Sequence, residues 1–152
     1  MHIVLVEPEI PQNTGNIARL CAANSFKLHL VRPLGFSTDD KTLKRAGLDY
    51  WHLVEVHYHN SIQEVIDAYG HLDFYYLTTK AQKSYTQVNY KNDCVLVFGR
   101  ESKGLPEELL GRYPQSCVRI PMRDAARSLN LSNAVAIVSY EAMRQNDFEG
   151  LK

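Results

Sequence analysis

Short apolar runs alternate with stretches of helical periodicity along almost the whole chain. A continuous apolar run of a few residues is typical of a strand covered on both faces, and apolar residues three or four apart indicate an amphipathic helix. The alternation predicts an α/β fold, with a mainly parallel sheet flanked by helices, in one domain over residues 1–152. Strands are predicted at 3–6, 28–31, 53–58, 73–77, 95–98 and 117–120. Helices are predicted at 17–24, with residues 13–16 as caps before it, after Thr38, and at 61–69, 106–110 and 131–143.

The last predicted helix, residues 131–143, is apolar nearly all the way round. A helix of this kind is buried on both sides. In a domain this small, we expect the second side to be covered by another copy of the chain. One face comprises Leu131, Ala134, Val135, Val138 and Ala142, and the roughly opposite face comprises Ala136, Ile137, Tyr140 and Met143.

Charge, cysteine content and the length of the apolar runs narrow the possible classes of protein. The 17 basic and 17 acidic residues cancel, so the net charge does not indicate a nucleic-acid partner. Cys21, Cys94 and Cys117 lie in apolar segments without C-x-x-C spacing, which favours core packing in a reducing cytosol. The first strand is too short for a signal peptide, and no apolar run approaches the ~20 residues that span a bilayer. We therefore expect a cytoplasmic protein without a membrane segment.

The positions of the cations are more informative than their total. A loop or first helical turn containing Lys or Arg follows nearly every predicted strand, and open α/β sheets bind ligands outside the carboxyl ends of their strands. For any single lysine, a solvated loop charge is the simpler interpretation. The set as a whole favours a polyanion such as RNA. Its members are Arg19, Lys41, Lys44, Arg45, Lys80, Lys83, Arg100, Lys103, Arg123 and Arg127.

Two loops carry candidate chemistry in the first two thirds of the chain. Residues 13–19 (NTGNIAR) place Asn13 and Arg19 at a helix start, where glycine and asparagine allow a ligand to approach closely. Residues 98–106 contain Gly99 and Gly104 at the separation of a phosphate-binding loop, but the Lys and Ser/Thr that such a loop requires are missing. Glu101 would also repel a phosphate. A ligand with a positive centre or an adenine N–H donor suits this loop better.

The third loop, residues 120–134, joins the last strand to the two-faced helix. Short polar side chains crowd the helix start, where they cap free backbone N–H groups. One cap would suffice, so the cluster suggests a site as well. No histidine lies at metal-ligand spacing, and His57 and His59 are expected to decorate a strand end, so no metal is predicted. The clustered residues are Ser128, Asn130, Ser132 and Asn133.

At these three loops the chain resembles the SPOUT superfamily of RNA methyltransferases. The match is closest to its small YibK/TrmL branch, which methylates the ribose 2'-hydroxyl of the wobble nucleotide in certain tRNAs. The matching segments are NTGNIAR at 13–19, FGRESKGL at 98–105 and IPM…SLNLSNA at 120–134. Residues 1–11 and 45–50 are also similar, so the likeness covers essentially the whole chain. One departure is Arg100, where close relatives tend to have proline, and we expect it to alter only the charge of the rim.

The resemblance implies a SPOUT fold with a C-terminal deep trefoil knot and S-adenosylmethionine (SAM) as cofactor, with S-adenosylhomocysteine as its product. It also implies a homodimer formed through the helix at 131–143 and the N-terminal helix region, acting on the anticodon stem-loop of tRNA at cytidine or uridine 34. The implied cofactor-binding residues are Leu77, Thr78, Gly99, Glu101, Gly104, Ile120, Met122, Ser128 and Leu129.

Catalytic roles are implied for Asn13, Arg19, Ser128 and Asn130. The arginine that matches Arg19 is proposed as the base in related enzymes, but a guanidinium stays protonated with a pKa of about 12 or above. We therefore expect Arg19 to grip the phosphate next to the reacting ribose, with bidentate geometry that lysine lacks. The implied RNA-binding residues are Lys41, Lys44, Arg45, Arg123, Arg127 and Tyr140.

Two other functions remain open on the sequence. The first is a 2'-O-methyltransferase that acts on another tRNA site or on ribosomal RNA. The second is a non-catalytic nucleotide- or RNA-binding α/β module that has kept the fold. The presence of Arg19, Glu101, Ser128 and Asn130 counts against the second.

Overall fold

The computed structural model describes residues 1–39 and 41–152, apart from the side chains at positions 44 and 46–49. Strands and helices alternate as the hydrophobic pattern predicts. Two short 3-10 turns, Tyr85–Gln87 and Pro114–Ser116, lie in the connections. The elements in chain order are β1 (His2–Val6), α1 (Pro11–Asn24), β2 (Lys27–Val31), α2 (Lys41–Trp51), β3 (Val56–His59), α3 (Ile62–Tyr69), β4 (Asp73–Leu77), β5 (Cys94–Phe98), α4 (Glu107–Arg112), β6 (Cys117–Val118) and α5 (Leu131–Gln145).

The six strands form one sheet in the order β3-β2-β1-β5-β4-β6. Every pairing is parallel, which confirms the predicted α/β class. The central strands β1 and β5 are buried along their whole length, as their continuous apolar sequences require. One face of the sheet packs against α1 and α5, and the other packs against α3 and α4. All carboxyl ends therefore lie at one edge of the sheet.

Two predicted strands differ from the structure by more than one residue at one end. The strand predicted at 53–58 begins only at Val56, because α2 continues to Trp51 and is followed by a turn. In that turn the backbone N–H of Leu53 donates to Tyr50 O, and the Leu53 side chain is 61% exposed. The sixth strand ends at Val118. Beyond it, Arg119 donates its N–H to Lys83 O and accepts from the Tyr85 N–H, at 2.9 and 2.8 Å.

Helix α1 also starts earlier than predicted, at Pro11, with Ile10 as its N-cap. Proline suits a first helical turn because it has no N–H to leave unpaired. Asn13 and Thr14 were expected to precede the helix as caps. They lie instead inside its first turn, and both are buried. The Asn13 side chain is therefore free of the capping role and points to other partners.

Helix α5 buries one face and leaves part of the other open. Val135, Val138 and Ala142 are fully buried, as predicted for the first face. Ile137 is 37% exposed and Tyr140 is 46% exposed. The assignment of Met143 to the second face was wrong, because its side chain is 8% exposed and packs in the core. Among the described residues, no helix is long and apolar enough to cross a membrane.

Candidate active site

One cavity of about 580 Å³ opens at the carboxyl edge of the sheet. Three connections form most of its wall: the loops after β4 and β5, and the long segment between β6 and α5. The start of α1 closes the remaining side. Ligands of open α/β sheets bind in this position. The lining residues are Ile10, Asn13, Leu77, Thr78, Thr79, Lys80, Phe98, Gly99, Arg100, Glu101, Ser102, Lys103, Gly104, Leu105, Leu110, Ile120, Met122, Arg127, Ser128, Leu129, Asn130, Leu131 and Ala134.

Every residue predicted to bind the cofactor lies in this lining, and so do three of the four predicted catalytic residues, Asn13, Ser128 and Asn130. Arg127, predicted to bind RNA, lines it as well. The three loops that carry the sequence motifs thus converge on one cavity. This convergence is the condition on which the proposed chemistry depends.

The carboxylate of Glu101 fastens the loop after β5 to the start of α1. It accepts hydrogen bonds from the backbone N–H groups of Glu9 and Ile10, at 2.8 and 3.0 Å. The side-chain amide of Asn13 donates a third, at 3.3 Å. Hydrogen bonds to a carboxylate are strong and directional, so these three donors fix its position. Glu101 therefore connects the loop after β5 to the start of α1.

The same network continues to the third loop through two asparagines. Asn130 donates from its side-chain nitrogen to Asn13 Oδ1 at 2.9 Å. Its side-chain oxygen accepts from the backbone N–H groups of Ser132 and Asn133, at 2.9 and 3.3 Å. Of the clustered polar residues, Asn130 is therefore the one that caps α5. Its amide serves both the helix start and the contact between motifs.

The loop after β5 needs both of its glycines. A Cβ atom at Gly99 would lie 2.1 Å from the carbonyl carbon of Gly104, so only glycine permits the two backbone segments to approach this closely. Gly104 itself has φ +69, a left-handed conformation that favours glycine. Arg100 and Gly104 exchange two backbone hydrogen bonds of 3.2 and 2.8 Å. The result is a compact turn that forms one wall of the cavity.

Two of the rim cations are already paired with carboxylates. Arg100 forms an ion pair with Glu7, and Lys80 forms one with Glu107. The positive charge of Arg100 is therefore offset at the rim. The pair also connects the loop after β5 to the residue that follows β1. Glu9 adds a further connection, because its carboxylate accepts a 2.7 Å hydrogen bond from the Ser102 hydroxyl.

Several predicted site residues lie elsewhere. Among the described residues, the cavity lining does not include Arg19, Lys41, Arg45, Arg123 or Tyr140. Arg19 is exposed on α1, and its guanidinium lies 4.9 Å from the centre of the Tyr50 ring. Lys41, Arg45 and Arg123 are exposed. The side chain of Lys44 lies outside the described part of the chain.

Cysteine and metal chemistry find no support in the described residues. Burial raises the pKa of Cys21 and of Cys94 to about 12, and it also raises the pKa of Cys117. These thiols remain protonated, consistent with the predicted packing role. Across residues 1–39 and 41–152, no group of three or more His, Cys, Asp or Glu side chains could hold a metal ion.

Some lining residues were not predicted from the sequence. Leu110 is one of them, since it belongs to α4, a helix for which no part in the site was predicted. Ile10 is another, and its sequence context carries no signal of a site. It joins the wall because its backbone N–H binds Glu101, which is 91 residues away in the chain.

Comparison with known proteins agrees with this geometry. Residues 1–140 match the SpoU rRNA Methylase family. Over 151 residues the chain is 46% identical to the tRNA (cytidine(34)-2'-O)-methyltransferase of Escherichia coli (strain K12), covering 99% of this chain and 96% of that protein. A solved structure described as "Structural insights into the 2-OH methylation of C/U34 on tRNA" has a TM-score of 0.91 and 44% identity, with 97% of each chain covered.

A more distant solved structure is the AdoMet-bound rRNA methyltransferase from Sinorhizobium meliloti. It has a TM-score of 0.82 and 26% identity, and the match covers 94% of this chain and 55% of that one. The expected RNA methyltransferase resemblance and its fold are thus confirmed. The chain is a methyltransferase and belongs to the SpoU rRNA Methylase family.

Proposed function

We propose that this chain transfers a methyl group from SAM to the ribose 2'-hydroxyl of nucleotide 34, cytidine or uridine, in tRNA. The observation that carries the proposal is the convergence of three motif-bearing loops on one cavity. Relatives matched over nearly their full length support the substrate, since the Escherichia coli protein is named for cytidine 34 and a structural relative is described for C/U34.

The cavity suits SAM in size and lining. Its volume of about 580 Å³ lies within the range of sites that enclose small molecules. Apolar side chains from the end of β4 and from the segment before α5, among them Leu77, Ile120 and Leu129, offer surface for an adenine ring. A bound AdoMet in the related rRNA methyltransferase supports the same choice. When bound, SAM supplies an electrophilic methyl group and leaves as S-adenosylhomocysteine.

The residues of the chain have to orient a weak nucleophile. A ribose 2'-hydroxyl reacts only if it is held in line with the methyl group and its proton is helped to leave. Asn13, Ser128 and Asn130 line the cavity and offer amide and hydroxyl groups for the ribose. Asn13 and Asn130 are fixed by their mutual hydrogen bond and by Glu101, so they are oriented before RNA binds.

Arg19 is assigned to the phosphate beside the reacting ribose. It lies six residues beyond Asn13 on α1, which is about 9 Å along the helix axis. The stacking on Tyr50 leaves a permanently charged, planar group at the surface, suited to bidentate contact with phosphate. A guanidinium has no acceptor nitrogen and is a poor base, so phosphate binding is the role that its chemistry favours.

The remaining RNA contacts are assigned to cations outside the cavity. Lys41 and Arg45 are exposed on α2, and Arg123 is exposed in the segment before α5. Arg127 lies at the cavity itself. Lys44 joins the set by sequence alone, and Tyr140 is assigned to RNA or to a partner subunit. An RNA backbone that crosses this edge meets these cations before it reaches the cavity.

We extend the proposal to assembly and location. The exposed apolar residues Ile137 and Tyr140 on α5 support a homodimer that covers this face, together with the region of α1. The backbone of Arg119 donates to Lys83 O and accepts from the Tyr85 N–H, both in the segment after β4. These hydrogen bonds support the knot expected of the fold. A tRNA substrate and three buried free cysteines are consistent with a cytoplasmic enzyme.

Tritium-labelled SAM mixed with bulk tRNA tests the function. We expect label in tRNA, and mapping of the labelled nucleotide should place it on the ribose of position 34. Label at another tRNA position or in ribosomal RNA would replace the proposed target. Binding of tRNA without any transfer would leave only a binding module, and the enzymatic proposal would be wrong.

A further inference from the structure

A second pocket lies at the same edge of the sheet, at the carboxyl ends of β2 and β3. Its wall includes Arg32, Phe36, Tyr58 and Asn60. Arg32 and Asn60 directly follow the two strands, and the backbone N–H of Arg32 donates to His59 O at 2.9 Å. The parallel pairing thus fixes both strand ends side by side. None of these residues has a role in the cavity described above.

The pocket has a flat aromatic and cationic surface. The Arg32 guanidinium lies 5.0 Å from the centre of the Tyr58 ring, in a cation–π arrangement. Tyr58 is nevertheless 38% exposed, although it is an aromatic residue in a strand. Arg32 and Asn60 are exposed beside it. An arginine plane over an aromatic ring is a surface on which a nucleobase can stack, and an asparagine amide can both donate to and accept from a base edge.

Backbone contacts connect the segment beside this pocket to the wall of the active-site cavity. Gly35, next to Phe36, donates its N–H to Pro8 O at 2.9 Å, and a Cβ atom at Gly35 would lie 2.8 Å from Glu9 Cα. On its other side, Glu9 donates its own N–H to Glu101 in the cavity wall at 2.8 Å. Residues 8–10 therefore link Gly35, next to the second pocket, to Glu101 in the cavity wall.

The chain then leads from the second pocket towards α2. Ser37 and Thr38 also line the pocket, and α2 begins shortly afterwards with the exposed Lys41. A nucleic acid that places one nucleotide in the cavity can thus extend along the rim, past the second pocket, to the positively charged side chain of Lys41. A nucleotide is a better match than a protein partner, because the Arg32–Tyr58 pair offers a stacking plane and Asn60 offers groups for a base edge.

On this basis we propose that the second pocket binds the base of a nucleotide that flanks the methylated one, stacked on the Arg32–Tyr58 pair and contacted by Asn60. The assignment rests on the proposed function, since the flanking nucleotide belongs to the same RNA. Tyr58 and Arg32 are then residues that bind and position the substrate, at a distance from the methyl transfer itself.

Direct binding of tRNA to the full-length protein, measured with S-adenosylhomocysteine present, tests the pocket. Tyr58→Ala should raise the Kd for tRNA, and the KM for tRNA in methyl transfer, by at least about fivefold, because the base no longer has a ring to stack on. Tyr58→Phe keeps the ring and should stay within about twofold of wild type. Arg32→Gln should weaken binding and lower its salt dependence.

Leu53→Ala is the matched control, because Leu53 is an exposed side chain just before β3 and lies outside the pocket. The Kd for SAM should be unchanged in all four variants, which separates the removal of an RNA-binding group from damage to the fold. If Tyr58→Ala and Arg32→Gln both bind tRNA as wild type does, the proposal is wrong.

Failure of the two proposals can be told apart. If the wild-type protein transfers no methyl group but Tyr58→Ala still weakens tRNA binding, the second pocket binds RNA as proposed and the enzymatic function is wrong. If the wild-type protein methylates nucleotide 34 and both the Kd and the KM for tRNA are those of wild type in every variant, the function stands and the pocket is rejected. If wild-type protein does not bind tRNA at all, both are rejected.

Discussion

Asn130 donates its side-chain amide to Asn13 Oδ1 at 2.9 Å across a separation of 117 residues. The bond joins the loop before α5 to the first turn of α1. Because Asn13 also donates to Glu101, one line of hydrogen bonds passes through all three motif-bearing segments. The asparagines and the glutamate thus have a structural reason to occur together, in addition to any contact with substrate.

Two substitutions at Asn130 should separate its two functions. Asn130→Ala removes the cap of α5 and the bond to Asn13, so the free energy of unfolding should fall by about 1 kcal/mol. Asn130→Asp keeps the capping oxygen but removes the donor to Asn13. We expect near-normal stability but a higher KM for SAM and for tRNA.

Urea denaturation and steady-state kinetics measure these effects, and Asn133→Ala, which changes an exposed asparagine in the first turn of the same helix, is the control. If Asn130→Asp leaves both KM values at wild-type levels, the bond to Asn13 does not organise the site.

The hydrophobic pattern of the sequence was sufficient to predict the helices and strands, but not the contacts between loops. The central strands were predicted correctly because runs such as 95–98 can only be buried on both faces. The start of β3 was misplaced because Leu53 and Val54 continue the apolar pattern although they belong to a turn. The resemblance to RNA methyltransferases assigned Gly99, Ile120 and Ser128 to one cofactor site, and they line one cavity. It could not show that Ile10 joins them through its backbone.

Arg19→Lys should lower the rate of methyl transfer by roughly 100-fold, because lysine keeps the charge but not the bidentate geometry that positions the phosphate. The affinity for SAM should not change, since Arg19 is exposed on α1 and lies outside the cavity lining among the described residues. Single-turnover transfer and equilibrium dialysis with SAM measure the two quantities.

Arg112→Lys is the control for Arg19, because Arg112 is also exposed and stacks on a tyrosine, with 5.6 Å between its guanidinium and the Tyr113 ring. Normal turnover in Arg19→Lys would exclude both a base and a phosphate clamp at this position.

Ile137→Asp should convert the proposed dimer to a monomer. Ile137 lies one helical turn from Tyr140 on the face of α5 that stays exposed in the single chain, and a charge there would be desolvated in the interface at a large cost. Sedimentation velocity measures the outcome. Leu53→Asp places the same charge on an exposed residue away from α5 and should leave the assembly intact. A wild-type chain that sediments as a monomer would contradict the proposal.

The double charge reversal Lys41→Glu/Arg45→Glu should weaken tRNA binding and lower the slope of log K against log salt by about one for each phosphate that the variant no longer neutralises. Both side chains are exposed on α2. Filter binding across a range of salt concentrations measures the slope. Lys91→Glu/Lys152→Glu introduces the same change of charge away from the rim and should have a smaller effect. If the two double variants behave alike, net charge rather than the α2 surface determines binding.

A row of histidines crosses the sheet on the face covered by α3, and the sequence did not predict it. His29 contacts His2 and His59 through ring nitrogens, at 2.9 Å in each case, and it stacks on His57. The residues come from three strands, so no spacing in the sequence could reveal the row. His57 and His59 were interpreted as decoration of a strand end, whereas their rings pack against a buried neighbour.

Each contact in the row needs one donor and one acceptor nitrogen. His2 Nε2 lies 3.4 Å from the Asp93 carboxylate, and donation there leaves His2 Nδ1 as an acceptor. His29 Nε2 then donates to His2, and His59 Nε2 donates to His29 Nδ1. This arrangement requires His29 to be neutral, because a charged imidazole has a proton on both nitrogens.

Acid should therefore destabilise the protein through this row. Burial lowers the pKa of His29 to about 3 and that of His2 to about 4, below the value of about 6.5 in the unfolded chain. The unfolded state consequently binds more protons at acid pH. The stabilisation is complete above about pH 6.5 and is lost as the pH falls towards 4, by at most about 1.4 kcal/mol per pH unit for each histidine.

Urea denaturation of wild type and of His29→Phe between pH 7 and pH 4 measures this dependence. The variant should be less stable at pH 7, because His2 and His59 lose a partner, and its stability should fall less steeply with acid. His71→Gln alters an exposed histidine and should keep the wild-type slope. If His29→Phe also keeps that slope, the buried row does not determine the acid sensitivity of the fold.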